Sequence, residues 1–215
     1  MKTISEIYEE YKIMPNLQLH MLRVASVASQ ICDGMDIQVD KERIIKACLF
    51  HDMGNIIKSN LDHFPQWNEP KGKEYWQQVK DEYIAKYGTN EHKATLQIMK
   101  ELGIAENVIE LVDNVGHYLF CDQLQSDDFN KKITNYADVR PGLYGVIPYD
   151  ERMKDVYVRY KNSPIFVEEK HNRSVMCGKE IERQIFLECK IKPEDITDES
   201  VAPIMEELKN FVVIE

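Results

Sequence analysis

The sequence predicts an all-α fold. Apolar residues recur at three- and four-residue spacing along most of the chain, the period of a helix with one buried face. Many of those stretches end at a glycine or just before a proline. Strand-like composition is confined to residues 164–167 and Phe211 to Ile214, both short.

Each element follows from its pattern. Residues 3–12 form a short amphipathic helix that stops near Pro15. The next covers about 17–32, with Leu17, Met21, Val24, Val27, Ala28 and Ile31 on one face and Gly34 as its stop. Asp40 caps a third helix, whose inward residues are Ile44, Ile45, Cys48 and Leu49; Gly54 closes it directly after His51-Asp52-Met53. Residues 59–72, with Pro65, Pro70 and Gly72, read as an ordered loop. A helix over 73–87 carries the stripe Tyr75, Trp76, Val79, Tyr83, Ile84 and ends at Gly88. Thr89 or Asn90 caps a helix through Leu102, and another covers about 105–119 with Val108, Leu111, Val112 and Val115 inward. After a polar loop at 121–128, a helix covers 129–139 and stops before Pro141-Gly142. A turn-rich link then leads to helices near 150–161, 169–189 and 200–211. The expectation is a single domain over 1–215, with a motif-bearing core at about 16–141 and a C-terminal helical extension, 142–215, packed on it.

Composition narrows the function. The chain has 215 residues, and a net charge of −10 argues against a nucleic-acid polymer or an anionic membrane as partner. It leaves room for a small anionic substrate, because a bound metal inverts the local field. No apolar run reaches the ~20 residues of a membrane helix, and the N-terminus does not read as a secretory signal. The five cysteines are far apart and form no CxxC, which argues against a disulfide framework or a cysteine zinc site. Reduced thiols in a cytoplasmic protein are the expectation.

Chemistry concentrates in histidines and acids. His20 lies on the apolar face of its helix, three after Leu17 and four before Val24; alone, it reads equally as a hydrogen-bonded core residue. His51 and Asp52 follow Cys48 by three and four residues, so both turn inward at a helix end. An inward His-Asp pair is costly unless paired or coordinated. His92 precedes Leu96 by four and Met99 by seven, again inward. His117 carries no signal on its own, and Asp138 sits beside apolar positions near a helix end. Together, four His and two Asp on five predicted helices can converge on one polar centre. Imidazole and carboxylate without thiolate suit a divalent transition metal, Fe or Mn first, then Zn, Co, Ni or Mg, as one or two ions.

The order His20, His51-Asp52, Asp138 resembles the signature of the HD-domain superfamily of metal-dependent phosphohydrolases. The contexts "NLQLHMLRVASVASQI", "IIKACLFHDMGN" and "ITNYADVRPG" are similar to its ligand-bearing helices, and "NEHKATLQIMKELGI" followed by "NVGHY" resembles the two extra histidines of binuclear members. The resemblance covers roughly residues 16–141. A His-Asp doublet alone is a weak signal; the doublet with four further ligands in order is a strong one. By resemblance, His20, His51, Asp52 and Asp138 hold a first metal. His92 and His117 complete a second site, with Asp52 bridging and orienting the nucleophile. The chain departs from some subgroups: Asn55 stands where cyclic-dinucleotide phosphodiesterases carry Lys, Leu17 where dNTP-binding members carry Arg, and no acid follows the doublet closely.

The implied reaction is hydrolysis of a phosphate ester of a small soluble, nucleotide-like substrate by a metal-activated water. Arg23, Asn55, Lys58, Lys93 and Arg140 are candidate partners of its phosphate; each also reads as an ordinary surface, capping or pairing residue. Two other functions fit the same shell: a di-iron oxygenase, and a non-catalytic sensor of nucleotide or phosphate. The aromatic segment 64–87 reads either as a lid or base-stacking wall, or as core packing. Of the remaining histidines, His63 is a possible proton donor and His171 a structural or exposed residue.

Overall fold

The structure, a computed structural model, describes residues 2–164 and 166–214. It is a helical bundle. The helices are α1 (Ile4–Glu10), α2 (Pro15–Gly34), α3 (Lys41–Phe50), α4 (Lys73–Tyr87), α5 (Glu91–Glu101), α6 (Glu106–Asp113), α7 (Phe120–Gln123), α8 (Phe129–Asp138), α9 (Tyr149–Tyr160), α10 (Glu168–Leu187) and α11 (Asp198–Leu208). The fold class is therefore the one the apolar spacing predicts. Two short strands, β1 (Lys2–Thr3) and β2 (Val212–Ile214), pair antiparallel and bring the two ends of the chain together. Residues 164–167, the other strand-like stretch, include Ile165, which lies outside the described residues.

Local chemistry sets the helix ends. Asp40 accepts the Arg43 N–H and caps α3, and Asn90 rather than Thr89 caps α5 by accepting the Lys93 N–H. The helix expected over 105–119 is interrupted. Asn135 Oδ1 accepts the Gly116 N–H at 2.8 Å, which takes that group out of helical bonding. The chain therefore turns after Asp113 and resumes as a short 3-10 turn, His117–Leu119. The loop expected at 121–128 begins with one α-helical turn, α7.

The core runs through α2, α3 and α8, which pack on one another. Met21, Val24, Val27, Ala28, Ile31, Ile44, Cys48, Leu49, Ile133 and Ala137 are all buried there. α6 covers α3, α11 covers α2, and α10 lies on α7 and α8. Among the described residues no helix is long and apolar enough to cross a membrane. The aromatic segment 64–87 contributes packing: Trp76 and Tyr83 are buried, with Trp76 Nε1–H donating to the Asn68 carbonyl and the Tyr83 hydroxyl to that of Tyr11.

Cys121 and Cys177 are disulfide-bonded, joining α7 to α10 across 56 residues. This corrects the expectation of five reduced thiols; sequence distance concealed the pairing because α10 folds back over α7. Cys32, Cys48 and Cys189 are free.

Candidate metal centre and its cleft

Three mutually packed helices deliver the ligands. His20 comes from the first half of α2, His51 and Asp52 from the turn that ends α3, and Asp138 from the last residue of α8. His20 Nε2 lies 3.2 Å from His51 Nε2 and 3.1 Å from Asp138 Oδ1; His51 Nε2 lies 3.0 Å from the same oxygen. Asp52 Oδ2 stands 3.6 and 3.7 Å from the two nitrogens. Ligand atoms about 2.1 Å from a common ion are separated by roughly 3.0–3.4 Å in octahedral or tetrahedral arrangements, so the spacings among His20, His51 and Asp138 fit a coordination shell and Asp52 stands a few tenths of an ångström outside it.

The donor chemistry agrees. His51 Nδ1–H donates to the Cys48 carbonyl at 2.8 Å, which fixes the tautomer and leaves the Nε2 lone pair facing the cluster. That lone pair meets a carboxylate oxygen and another imidazole nitrogen, an arrangement that requires a cation, either proton or metal. The pKa values express the same demand. Burial alone would lower that of His51, but the Asp52 and Asp138 carboxylates reverse this and push it up to about 9. Burial would raise that of Asp138, but His51 and His20 hold it well below the usual carboxylate range.

The turn carrying the doublet is pinned to α5. Thr95 Oγ1 accepts the Gly54 N–H at 2.9 Å and donates to the Glu91 carbonyl. A Cβ at Gly54 would overlap the Glu91 carbonyl oxygen and press on the Ala94 methyl at 2.9 Å, so the backbone approach there requires glycine.

A cleft of about 410 Å³ opens from the cluster. His51, Asp52 and Asp138 lie at its wall with Asn55 and Lys58, and His92 and His117 line it as well. The two latter histidines are not among the atoms that crowd together. His92 Nε2–H donates to Asp113 at 2.8 Å, and His117 Nε2 faces His171 Nδ1 at 3.1 Å. His117 Nδ1 is buried without a hydrogen-bond partner. Burial, then the nearby His171 and Arg152, drive the His117 pKa down to about 4, so the ring is neutral and able to donate a lone pair.

The candidate phosphate partners divide. Asn55 and Lys58 line the cleft, Lys58 beside Glu91 at 3.5 Å. Arg23 instead donates to the Tyr144 carbonyl, and Lys93 is exposed; neither lines the cleft. Arg140 is a correction. It is 1% exposed and donates to the carbonyls of Ile147, Pro193 and Ile196 and to the Tyr136 hydroxyl. Its charge is used to fasten the 193–196 segment to α8, where no substrate reaches it. None of the six aromatics between Phe64 and Tyr87 lines the cleft, and neither does His63, which is exposed and sits edge-on to Phe64. His171 is buried against His117, Tyr157 and Phe166.

Sequence reasoning missed Arg152. It lines the cleft from α9 beside Met153 and Val156, with Tyr160 at the rim. The available signal was a cation on the apolar stripe 153, 156, 160 of a helix otherwise polar.

Residues 18–117 match the family model described as HD domain. The chain carries an HD domain. The match includes His20, His51, Asp52, His92 and His117; Asp138 lies beyond it and is brought to the HD-domain cluster by α8. No curated protein and no solved structure matches the chain. HD domains bind divalent metals, and His20, His51 and Asp52 each offer a ligand atom within 4.8 Å of the others.

Proposed function

We propose that the chain is a metal-dependent phosphohydrolase, acting as one unit on a phosphate ester of a small soluble, nucleotide-like molecule. The observation that carries this reading is the convergence of His20, His51, Asp52 and Asp138, the last three at the wall of a cleft that also presents Asn55 and Lys58. A cleft of about 410 Å³ suits a small molecule and not a polymer. Fe or Mn is the proposed metal, held by the four clustered residues, with His92 and His117 offered to a second ion.

The metal, when bound, supplies an acidified water and charge neutralisation at the phosphate. The chain's own groups do the rest. Asp52 directs Oδ2 at the histidines and, as a ligand rather than a free general base, would orient the attacking water toward phosphorus. Asn55 and Lys58 donate to the phosphate oxygens as charge grows on them. The Cys48 carbonyl keeps His51 in the tautomer that ligation needs.

The test is release of phosphate from a panel of esters by the Mn- or Fe-loaded chain, with elemental analysis per chain. Turnover that is lost in His51→Ala together with the bound metal supports the reading. A loaded chain that turns over no ester class overturns it.

A further inference from the structure

We propose that Arg152 is the anion-anchoring residue of the cleft and that α9 forms the wall that selects the substrate's carbon skeleton. The identity of the anion as phosphate rests on the phosphohydrolase reading; the anchor itself rests on the geometry of α9.

Charge on α9 is unevenly matched. Asp155 accepts from Arg159 through both carboxylate oxygens, with Arg159 Nε 2.9 Å from Oδ1 and Arg159 Nη2 bonded to Oδ2. This is the two-pronged pairing in which one guanidinium satisfies one carboxylate. Arg152 shares only Oδ2, through Nη1 at 2.6 Å. Two positive charges therefore stand on one negative charge. Arg152 is the more enclosed of the two, with its side chain 18% exposed, and its Nε–H is buried with no acceptor. A buried guanidinium donor without a partner is costly, and an incoming anion oxygen removes that cost. His117 lines the same cleft, and its Nδ1 is also buried without a hydrogen-bond partner.

The rest of that wall is apolar. Met153 and Val156 follow Arg152 on the cleft side of α9, and Val112 and Val115 also line the cleft from the segment that leads to His117. Tyr160, 53% exposed, stands at the opening. The ligand that fits has an anionic group for Arg152 and an apolar or aromatic part against Val115 and Val156. An open-chain polyol phosphate, with no apolar part, would leave its hydroxyls facing methyl groups.

Binding of inorganic phosphate to the metal-loaded full-length chain, measured by calorimetry, tests the anchor directly. Arg152→Gln is expected to weaken phosphate about ten- to a hundredfold, the range of a lost charge-assisted bond, with metal content and melting temperature unchanged. Arg152→Lys is expected to recover part of the loss. Val156→Glu, which sets a carboxylate one turn along the same face, is expected to weaken phosphate as well and keeps the test decisive if the Arg152 variants do not fold. With esters, Arg152→Gln is expected to raise KM more than it lowers kcat, and phosphates with an aromatic part, aryl or nucleotide, are expected to outrun open-chain polyol phosphates. Phosphate affinity equal to wild type in Arg152→Gln and Val156→Glu overturns the proposal while ester turnover by the wild-type chain leaves the hydrolase reading intact. Phosphate binding that depends on Arg152 in a chain that hydrolyses no ester sustains the anchor and removes the hydrolase.

Discussion

His20 and His51 face each other through their Nε2 atoms at 3.2 Å, with Asp138 Oδ1 about equally close to both. Two imidazole nitrogens and a carboxylate oxygen at these spacings call for a cation between them, a proton or a metal.

Metal binding is therefore expected to stabilise the fold. At a free metal concentration a hundredfold above Kd, linkage adds about 2.7 kcal/mol, or roughly 5–10 °C in Tm for a chain of this size. Differential scanning fluorimetry with EDTA, Mn and Fe checks this. His51→Ala is expected to melt at one temperature in all three conditions; a persistent metal-dependent shift in that variant would place the metal elsewhere.

Gly54 is expected to tolerate no side chain. A methyl there would collide with the Glu91 carbonyl and the Ala94 methyl, and α5 would have to move from the doublet turn. Gly54→Ala should cost about 1–3 kcal/mol, the usual range for overpacking, and should weaken metal binding because His51 and Asp52 shift with the turn. Chemical denaturation and metal titration of the same variant read both effects. Unchanged values for both would mean that α5 does not brace the site.

Most of the helix order and the four clustered ligands were legible in the sequence, and the reason is physical. Helical spacing places His20 and His51 on inward faces, and a glycine two residues after the doublet marks its turn. What was not legible depends on how helices meet. Arg140 follows Asp138 by two residues and looks like a site cation, yet a helix ends between them and turns its guanidinium into the 193–196 carbonyls. Arg152 looks like any surface arginine until α9 is laid along the cleft. The break of the predicted 105–119 helix at Asn114 depends on Asn135, a residue about twenty positions away.

Arg140 is expected to act on stability and not on ligand recognition. Its loss strands three carbonyls and the Tyr136 hydroxyl, which itself donates to Glu182 at 2.6 Å. Arg140→Met should destabilise by about 2–4 kcal/mol, measured by urea unfolding, with phosphate affinity of the folded fraction unchanged. A loss of affinity with intact stability would return Arg140 to the site.

The Cys121–Cys177 bond is expected to be detectable as a linked peptide by non-reducing mass spectrometry, with Cys32 and Cys48 unlinked. Closing a loop of 56 residues is worth about 4 kcal/mol in the chain-entropy account, so Cys121→Ser should lower stability by up to that amount under oxidising conditions and by nothing in reductant. Equal stability of the variant and the wild type under oxidising conditions would show that the bond does not persist.

Stability against pH separates the two classes of histidine. The folded pKa of His51 is raised to about 9, so without metal its contribution is complete below the unfolded value of about 6.5 and disappears as pH rises from there through 9. The folded pKa of His117 is lowered to about 4, so its neutral form costs stability as pH falls from about 6.5 through 4, where the unfolded chain takes up a proton first. The metal-free chain should accordingly be most stable near pH 6.5 and weaken on both sides. Ligation needs His51 deprotonated, so metal binding between pH 6.5 and 9 should release protons, and the alkaline decline should vanish in the loaded chain. Urea unfolding from pH 4.5 to 9.5, with and without Mn, measures both limbs. His51→Gln should lack the alkaline limb and His117→Gln should flatten the acid one; an alkaline decline that survives in His51→Gln would assign it to another group.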